Sequence, residues 1–236
     1  MITPGLPVHF RDLTPIMQGG LSTYVVHSDR DGSGLEESVL VLTGDSSATR
    51  AVAAGRDELL YVLSGSGEAV VEGTIHELGP NAAVRVAGGG EYVLRTASDA
   101  LEIVAVSGNA LSGTVPSDRS ARIDALDQAA EEAVSSREFR VLFDPESDCS
   151  GMTQFLGYVP AVRTKLHIHP YSEVICIIKG TGTVEIEGHE AVVAPGWCYY
   201  LPQGAQHRVE NTRQDYLVEL GVFTPAGSPA QNTPVE

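Results

Sequence analysis

Apolar and polar positions alternate along most of this 236-residue chain in short bursts, each closed by glycine, proline or a polar turn. Bursts at strand period, bounded by turn residues, predict many short β-strands. Ser22 to His27 and Ser38 to Leu42 are the first clear runs, with a turn-forming stretch from Asp29 to Gly34 between them. ELLYVLSGSGEAVVEG, from Glu58 to Gly73, reads as a buried strand, a glycine turn and an alternating strand. EVICIIKGTGTVEIEG, from Glu173 to Gly188, repeats the same order of features.

That repetition sets the domain organisation. Shifting the sequence by 115 positions lays Arg50 to Thr96 on the second half without gaps: Glu58 falls on Glu173, Gly65 on Gly180, Gly67 on Gly182, Pro80 on Pro195 and Gly89 on Gly204. A repeat of this length indicates two similar units, and at about 100–200 residues per domain the chain has room for two. The expected division is 1–112, a linker 113–138, and 139–236. Within the linker, ARIDALDQAAEEAVSSR places Ile123, Leu126, Ala130 and Val134 at helical spacing, which predicts a short connecting helix with a solvated acidic face. Residues 1 to 20 read as an irregular lead-in, and the tail AGSPAQNTPVE as disordered.

The chemistry is concentrated in HIHPYSEVICIIKG, from His167 to Gly180, and GWCYYLPQGAQHRVEN, from Gly196 to Asn211. His167 and His169 are two apart, so on a strand both side chains project to one face. Glu173 follows at the same parity, and His207 comes from a later strand. Three imidazoles and a carboxylate converging inside a barrel form a divalent-metal site. Both segments resemble the signature motifs of the cupin superfamily. The first reads His-x-His-x3-Glu-x6-Gly, and the second Gly196-x5-Pro202-x-Gly204-x2-His207-x3-Asn211. The resemblance implies an all-β protein, with two double-stranded β-helix (jelly-roll) barrels in tandem as in the bicupins. It also implies one metal held by His167, His169, Glu173 and His207.

The first copy lacks this set. The 115-residue shift puts Val52 at His167, Ala54 at His169 and Tyr92 at His207, so of the ligands Glu58 alone survives. One carboxylate does not hold a catalytic metal against water, and the first barrel is expected to be a structural partner. In the second, inward parity adds Lys165, which would face a substrate carboxylate or enolate or else extend to water. It adds Leu201 and also Tyr199, as a cavity wall or proton donor. Asn211 is expected to fix a turn, and His189 to sit on the surface.

Composition narrows the partners. A formal charge of −16 repels phosphate backbones and anionic lipid, so nucleic acid and membrane surfaces are not expected. No apolar run reaches the roughly 18 residues of a spanning helix, and the amino terminus shows no secretory pattern. Cys149, Cys176 and Cys198, odd in number and without CxxC spacing, fit reduced thiols. A cytoplasmic location is the expectation. An isologous homodimer is expected too, because closed pairs are commonest and PVHFRDLTPIM is apolar enough to cross onto a neighbour.

Imidazole and carboxylate ligands suit Fe, Mn, Co, Ni, Cu or Zn alike. Four protein ligands on an octahedral ion leave two positions for a small substrate, water or dioxygen. Three functions are compatible: a mononuclear non-haem dioxygenase acting on a metal-chelating organic substrate, a redox-neutral isomerase, cyclase, lyase or aminohydrolase, and a non-catalytic binding or storage protein. The resemblance to the ureidoglycine aminohydrolases is weakened by ligand order, since that family's pattern resembles Glu-x-His-x3-His with a distal Gln.

Overall fold

A computed structural model describes residues 6–111, 119–122, 132–134 and 137–235. The described helical segments are three short 3-10 turns, at Phe10–Asp12, Asp29–Asp31 and Pro145–Ser147, and everything else regular is strand. Among the described residues the strands form four sheets, two to each half, mostly antiparallel jelly-roll pairs. In the first half the larger sheet runs Arg119–Arg122, Ala82–Val86, Arg56–Ser64, Ala100–Asn109, Leu35–Thr43, Leu21–His27, Ile16–Gln18, and faces a sheet of four. In the second half the larger sheet is centred on Ser172–Lys179 and Leu217–Thr224, and faces a sheet of five that carries His167–Ile168 and His207–Glu210. The fold is the predicted pair of barrels.

Alternation explains how the pair holds together. In Ser172–Lys179, Ile175 and Ile177 point into the barrel and pack on Val184, Ile186, Val209 and Leu217. Val174 and Cys176 point outward into a second apolar cluster, which spans both halves. From the first half it takes Val39, Val41, Leu59, Val104 and Val106; from the second, Leu156, Val174, Val218, Leu220 and Val222. The barrels therefore pack through the outer faces of their larger sheets, and both faces of those sheets are dry. Each fully buried aliphatic side chain there is worth roughly 1.5–3 kcal/mol.

This interface also holds a buried ion pair. Asp57 and Arg85 lie on the outward parity of their strands, both essentially inaccessible to solvent. Arg85 donates through Nε and Nη2 to Oδ2 of Asp57, at 3.1 and 3.0 Å, and Gly88 N–H donates to Oδ1 at 3.2 Å. Cys149 of the second half lies within their field. Burial, then the Asp57 charge, pushes its thiol up to about 12, so it stays protonated.

Gly65 and Gly180 show why the repeat retains glycine. Both have φ above 80°, and a Cβ on either would press into the backbone, at Ala100 O and Tyr216 O respectively.

Three expectations need correction. Within the linker, Arg119–Arg122 pairs with Ala82–Val86 of the first barrel and Glu132–Val134 pairs with Arg137–Phe143 of the second. The ends of the proposed helix, Val134 included, are therefore strand; Ile123, Leu126 and Ala130 lie outside the described residues. Edge pairing outweighed a weak 3.6-residue period.

The lead-in, read as irregular, contains strand, and part of it joins the chain's own second barrel. Val8 and His9 pair with Cys198 and Trp197, and Phe10 N–H donates to Gly196 O at 3.0 Å. The tail, read as disordered, is likewise described to residue 235 and is tied down. Thr153 Oγ1 donates to Gly227 O, Thr233–Pro234 pairs with His167–Ile168, and Val235 N–H donates to Leu166 O.

Candidate metal centre

His167 sits on a two-residue strand directly opposite His207, His169 follows it, and all three imidazoles are buried. One ligand atom from each lies within 4.8 Å of the others. Their orientation is fixed from behind by backbone carbonyls. His167 Nδ1 faces Lys165 O at 2.8 Å, His169 Nδ1 faces Gln231 O at 3.0 Å, and His207 Nδ1 faces Ala205 O at 2.9 Å. A carbonyl only accepts, so each Nδ1 carries a proton, and in the neutral ring each Nε2 keeps its lone pair. That is the donor state a metal needs. Glu173 borders the triad, with Oε2 3.6 Å from His169 Nε2. Tyr171 stacks on His169 with ring centroids 4.6 Å apart. The donor set fits one divalent ion, which His167, His169 and His207 would hold with Glu173 beside them.

The cavity at the triad is lined by Glu173, Tyr199 and Glu219 with Phe139, Phe155, Tyr171 and Pro229, among others. Its space of about 10 Å³ matches roughly one water-sized sphere. Gly221 makes room beside Glu173, since a Cβ there would meet the Phe155 ring and Glu173 Oε1. The tail forms a strap beside the cavity. Pro229 is buried in the lining, Tyr171 Oη reaches its carbonyl at 3.4 Å, and Gln231 supplies the carbonyl behind His169. Deleting residues 226–236 is expected to weaken metal affinity about 10–100-fold, the usual cost of losing a ligand's outer partner. Titration against a chromogenic chelator, with circular dichroism to check folding, measures it. Unchanged affinity would show that the strap does not orient His169.

Tyr199 lines the cavity as parity predicts, and its Oη donates to Glu219 Oε1 at 3.0 Å. Leu201 packs inside the barrel. Asn211 fixes a turn through Val159 O and Asp215 O, and His189 is exposed. Lys165 does not reach the cavity. Its side chain is exposed, because residues 160–166 form irregular chain rather than strand and parity does not carry through them. What Lys165 contributes is its carbonyl.

Glu219 was missed, although LVELGVF carries the signal: a lone acid at inward parity in an apolar strand. Tyr171 and the strap carry no comparable pattern.

The first barrel corrects the repeat alignment. Arg50, not Val52, lies opposite Tyr92 as His167 lies opposite His207. Gly89 N–H donates to Val52 O as Gly204 N–H donates to His169 O. Arg50 and Val52 thus take the places of His167 and His169, and Ala54 takes neither. The connection to Glu58 is two residues longer than the one to Glu173, an offset that a gap-free shift conceals.

Arg50 donates to Tyr92 Oη and to Glu58 Oε1, both at 2.9 Å, while Tyr92 Oη donates to Glu58 Oε2 at 2.7 Å. Burial disfavours the Arg50 charge, yet Tyr92 and Glu58 outweigh it and hold the guanidinium above its ordinary value. Burial, then Glu58, keeps the Tyr92 phenol protonated. A fixed organic cation stands where the second barrel gathers imidazoles.

The cupin-domain family model matches residues 155–223. No curated protein matches the chain by sequence. Solved structures resemble it over nearly its whole length at low identity. A cupin 2 conserved barrel domain protein from Leptotrichia buccalis has a TM-score of 0.69 at 15% identity, covering 94% of this chain and 98% of that one. Protein Ylba from E. coli has 0.77 at 13%, covering 95% and 93%. Bacillus subtilis oxalate decarboxylase, with Mn(II) centres, has 0.72 at 15%, covering 100% and 80%. At such identities the likeness shows the fold.

Proposed function

We propose that the chain is a two-barrel protein of the cupin superfamily whose second barrel, which holds the stretch matched by the cupin-domain model, is a mononuclear metal enzyme acting on a small, metal-chelating organic substrate. The observation that carries this reading is the buried imidazole triad, with every Nδ1 locked on a backbone carbonyl. A bound divalent ion would supply Lewis acidity and, if redox-active, electrons for dioxygen. The protein's own groups do the rest. Phe139, Phe155 and Tyr171 wall the cavity with apolar surface, the strap adds Pro229, and Glu173 lies beside His169. Space for one water-sized sphere means that a substrate enters only when some of the lining side chains shift.

Dioxygenation is the first reading. Redox-neutral chemistry is the second, favoured by the Tyr199 to Glu219 hydrogen bond, which gives the cavity a proton donor and acceptor in contact. The purified protein is expected to hold one divalent metal per chain by elemental analysis. After anaerobic loading with Fe(II), enolisable and α-hydroxy acid substrates are tested for oxygen uptake. Turnover that stops without oxygen supports dioxygenation, and turnover that persists with Zn(II) or Mn(II) under argon supports the second reading. A protein that takes up no metal would overturn both.

A further inference from the structure

We infer that Phe155 is the specificity-determining side chain of the second barrel. Its ring fills the seat of the substrate's body, gives way when a substrate binds, and restricts the site to chelators with no bulk beside their chelating atoms. This deepens the metal-enzyme reading and rests on it.

Two glycines make room for the ring. Phe155 lies across from Gly221, and Gly157 lies across from Phe139 and Glu219. A Cβ on Gly221 would overlap the Phe155 ring, and one on Gly157 would meet it at 3.4 Å. Neither glycine has the left-handed backbone that favours this residue, and glycine inside a strand costs stability. Such glycines mark places where another group approaches the backbone closely. Here that group is the Phe155 ring, in the wall of the cavity that His169 and His207 also line.

The first barrel is an internal control. Counted from Glu58 and Glu173, it has Ser38 across from Ala105, Leu40 across from Thr23 and Ile103, and Ser107 where the second has Phe223. Thr23, Ser38 and Ser107 are small, polar and partly exposed. The jelly roll therefore forms without aromatic residues at these places. In the barrel that has the imidazoles, Phe139, Phe155 and Phe223 join Tyr171 in a buried cluster of their own.

The rings of this cluster are not held alike. Tyr171 stacks on Phe223 with centroids 3.9 Å apart and on His169 at 4.6 Å, and its hydroxyl reaches Pro229 O at 3.4 Å. Moving Tyr171 would disturb an imidazole of the triad. Phe155 meets Phe139 and Phe223 edge-on, with centroids 5.6 and 5.9 Å apart, and Gly157 sets no Cβ in its way along its own strand. The cavity holds about one water-sized sphere. A ligand with more than its chelating atoms therefore has to take space from a lining side chain, and Phe155 is the one whose shift leaves the triad in place.

Glycolate and mandelate share an α-hydroxy-carboxylate head and differ by one phenyl group. Calorimetric titration of the Zn(II)-loaded full chain is expected to show glycolate binding at least about tenfold tighter than either enantiomer of mandelate, within the range that overpacking an interior costs. Phe155→Ala is expected to bring mandelate within about threefold of glycolate, its phenyl group taking the vacated space. Phe155→Leu should give an intermediate ratio, and because it keeps an apolar side chain in place it holds the test open should Phe155→Ala fail to fold. In Zn(II)-loaded protein made with 4-fluorophenylalanine, glycolate should shift the fluorine line that Phe155→Leu lacks more than any other. Metal uptake without glycolate binding, mandelate bound as tightly as glycolate by the native chain, a ratio unchanged in both variants, or an unresponsive Phe155 line would each overturn this inference alone. Absence of metal uptake would overturn it together with the reading it rests on.

Discussion

Replacing His207 by alanine is expected to abolish metal retention. The side chain is buried, faces His167 across the strand pair, and has its other nitrogen held by Ala205 O. Its removal takes away one of the three imidazole donors. The loss should exceed the 10–100-fold that follows removal of an outer hydrogen-bond partner, so about 100-fold or more. A ligand present at 100 times its Kd stabilises a protein by about 2.7 kcal/mol. Native protein should therefore melt several degrees higher with added metal, and His207→Ala should not. Glu58→Gln in the first barrel is the matched control, since Arg50 already neutralises Glu58. It should leave metal content at the native value. A fall there would mean that the first barrel also binds metal.

Asp57→Ala should produce the largest loss of stability. It takes the Asp57 carboxylate away from the Arg85 guanidinium in the dry interface between barrels, where removing one member of a buried pair costs about 3–5 kcal/mol. Replacing both members by apolar residues should recover most of that, because the pair's net contribution is small once desolvation is counted. The corresponding positions in the second barrel, Ser172 and Tyr200, manage with a 3.4 Å hydroxyl contact. Urea denaturation of the two variants measures the difference. If Asp57→Ala costs under about 1 kcal/mol, the interface is wetter than its geometry indicates.

The buried imidazole triad was legible because strand parity, glycine turns and typed spacing all describe local geometry. The two-barrel fold was legible because the repeat preserves the turns, where a positive φ restricts the residue. What escaped involves chain that parity does not govern. Lys165 follows irregular backbone, so its distance of two residues from His167 carried no directional information. The two-residue longer connection before Glu58 left the strands on either side recognisable while moving Arg50 into the place of His167. The sequence there lacks the ligands, and the structure shows a substitute cation. The strap failed for a compositional reason. AGSPAQNTPVE is polar and proline-rich like a disordered tail, but it is held by backbone hydrogen bonds, which composition does not report.

The pairing of Val8 and His9 with Trp197 and Cys198 has a consequence for how the protein is made. The partner strand leaves the ribosome about 190 residues after the segment that needs it, roughly 10–40 s at ordinary synthesis rates. Throughout that interval the beginning of the chain has no strand to join, and Phe10 lacks the Gly196 carbonyl that receives its amide. The first barrel's outward apolar face, with Val39, Val41, Leu59, Val104 and Val106, waits for the same late strands to cover it. The nascent first half is thus a sticky, unfinished object whose completion depends on a part made later. Contacts this distant in sequence are slow to close. The halves resemble one another as repeats do, but in the cell they mature as one unit.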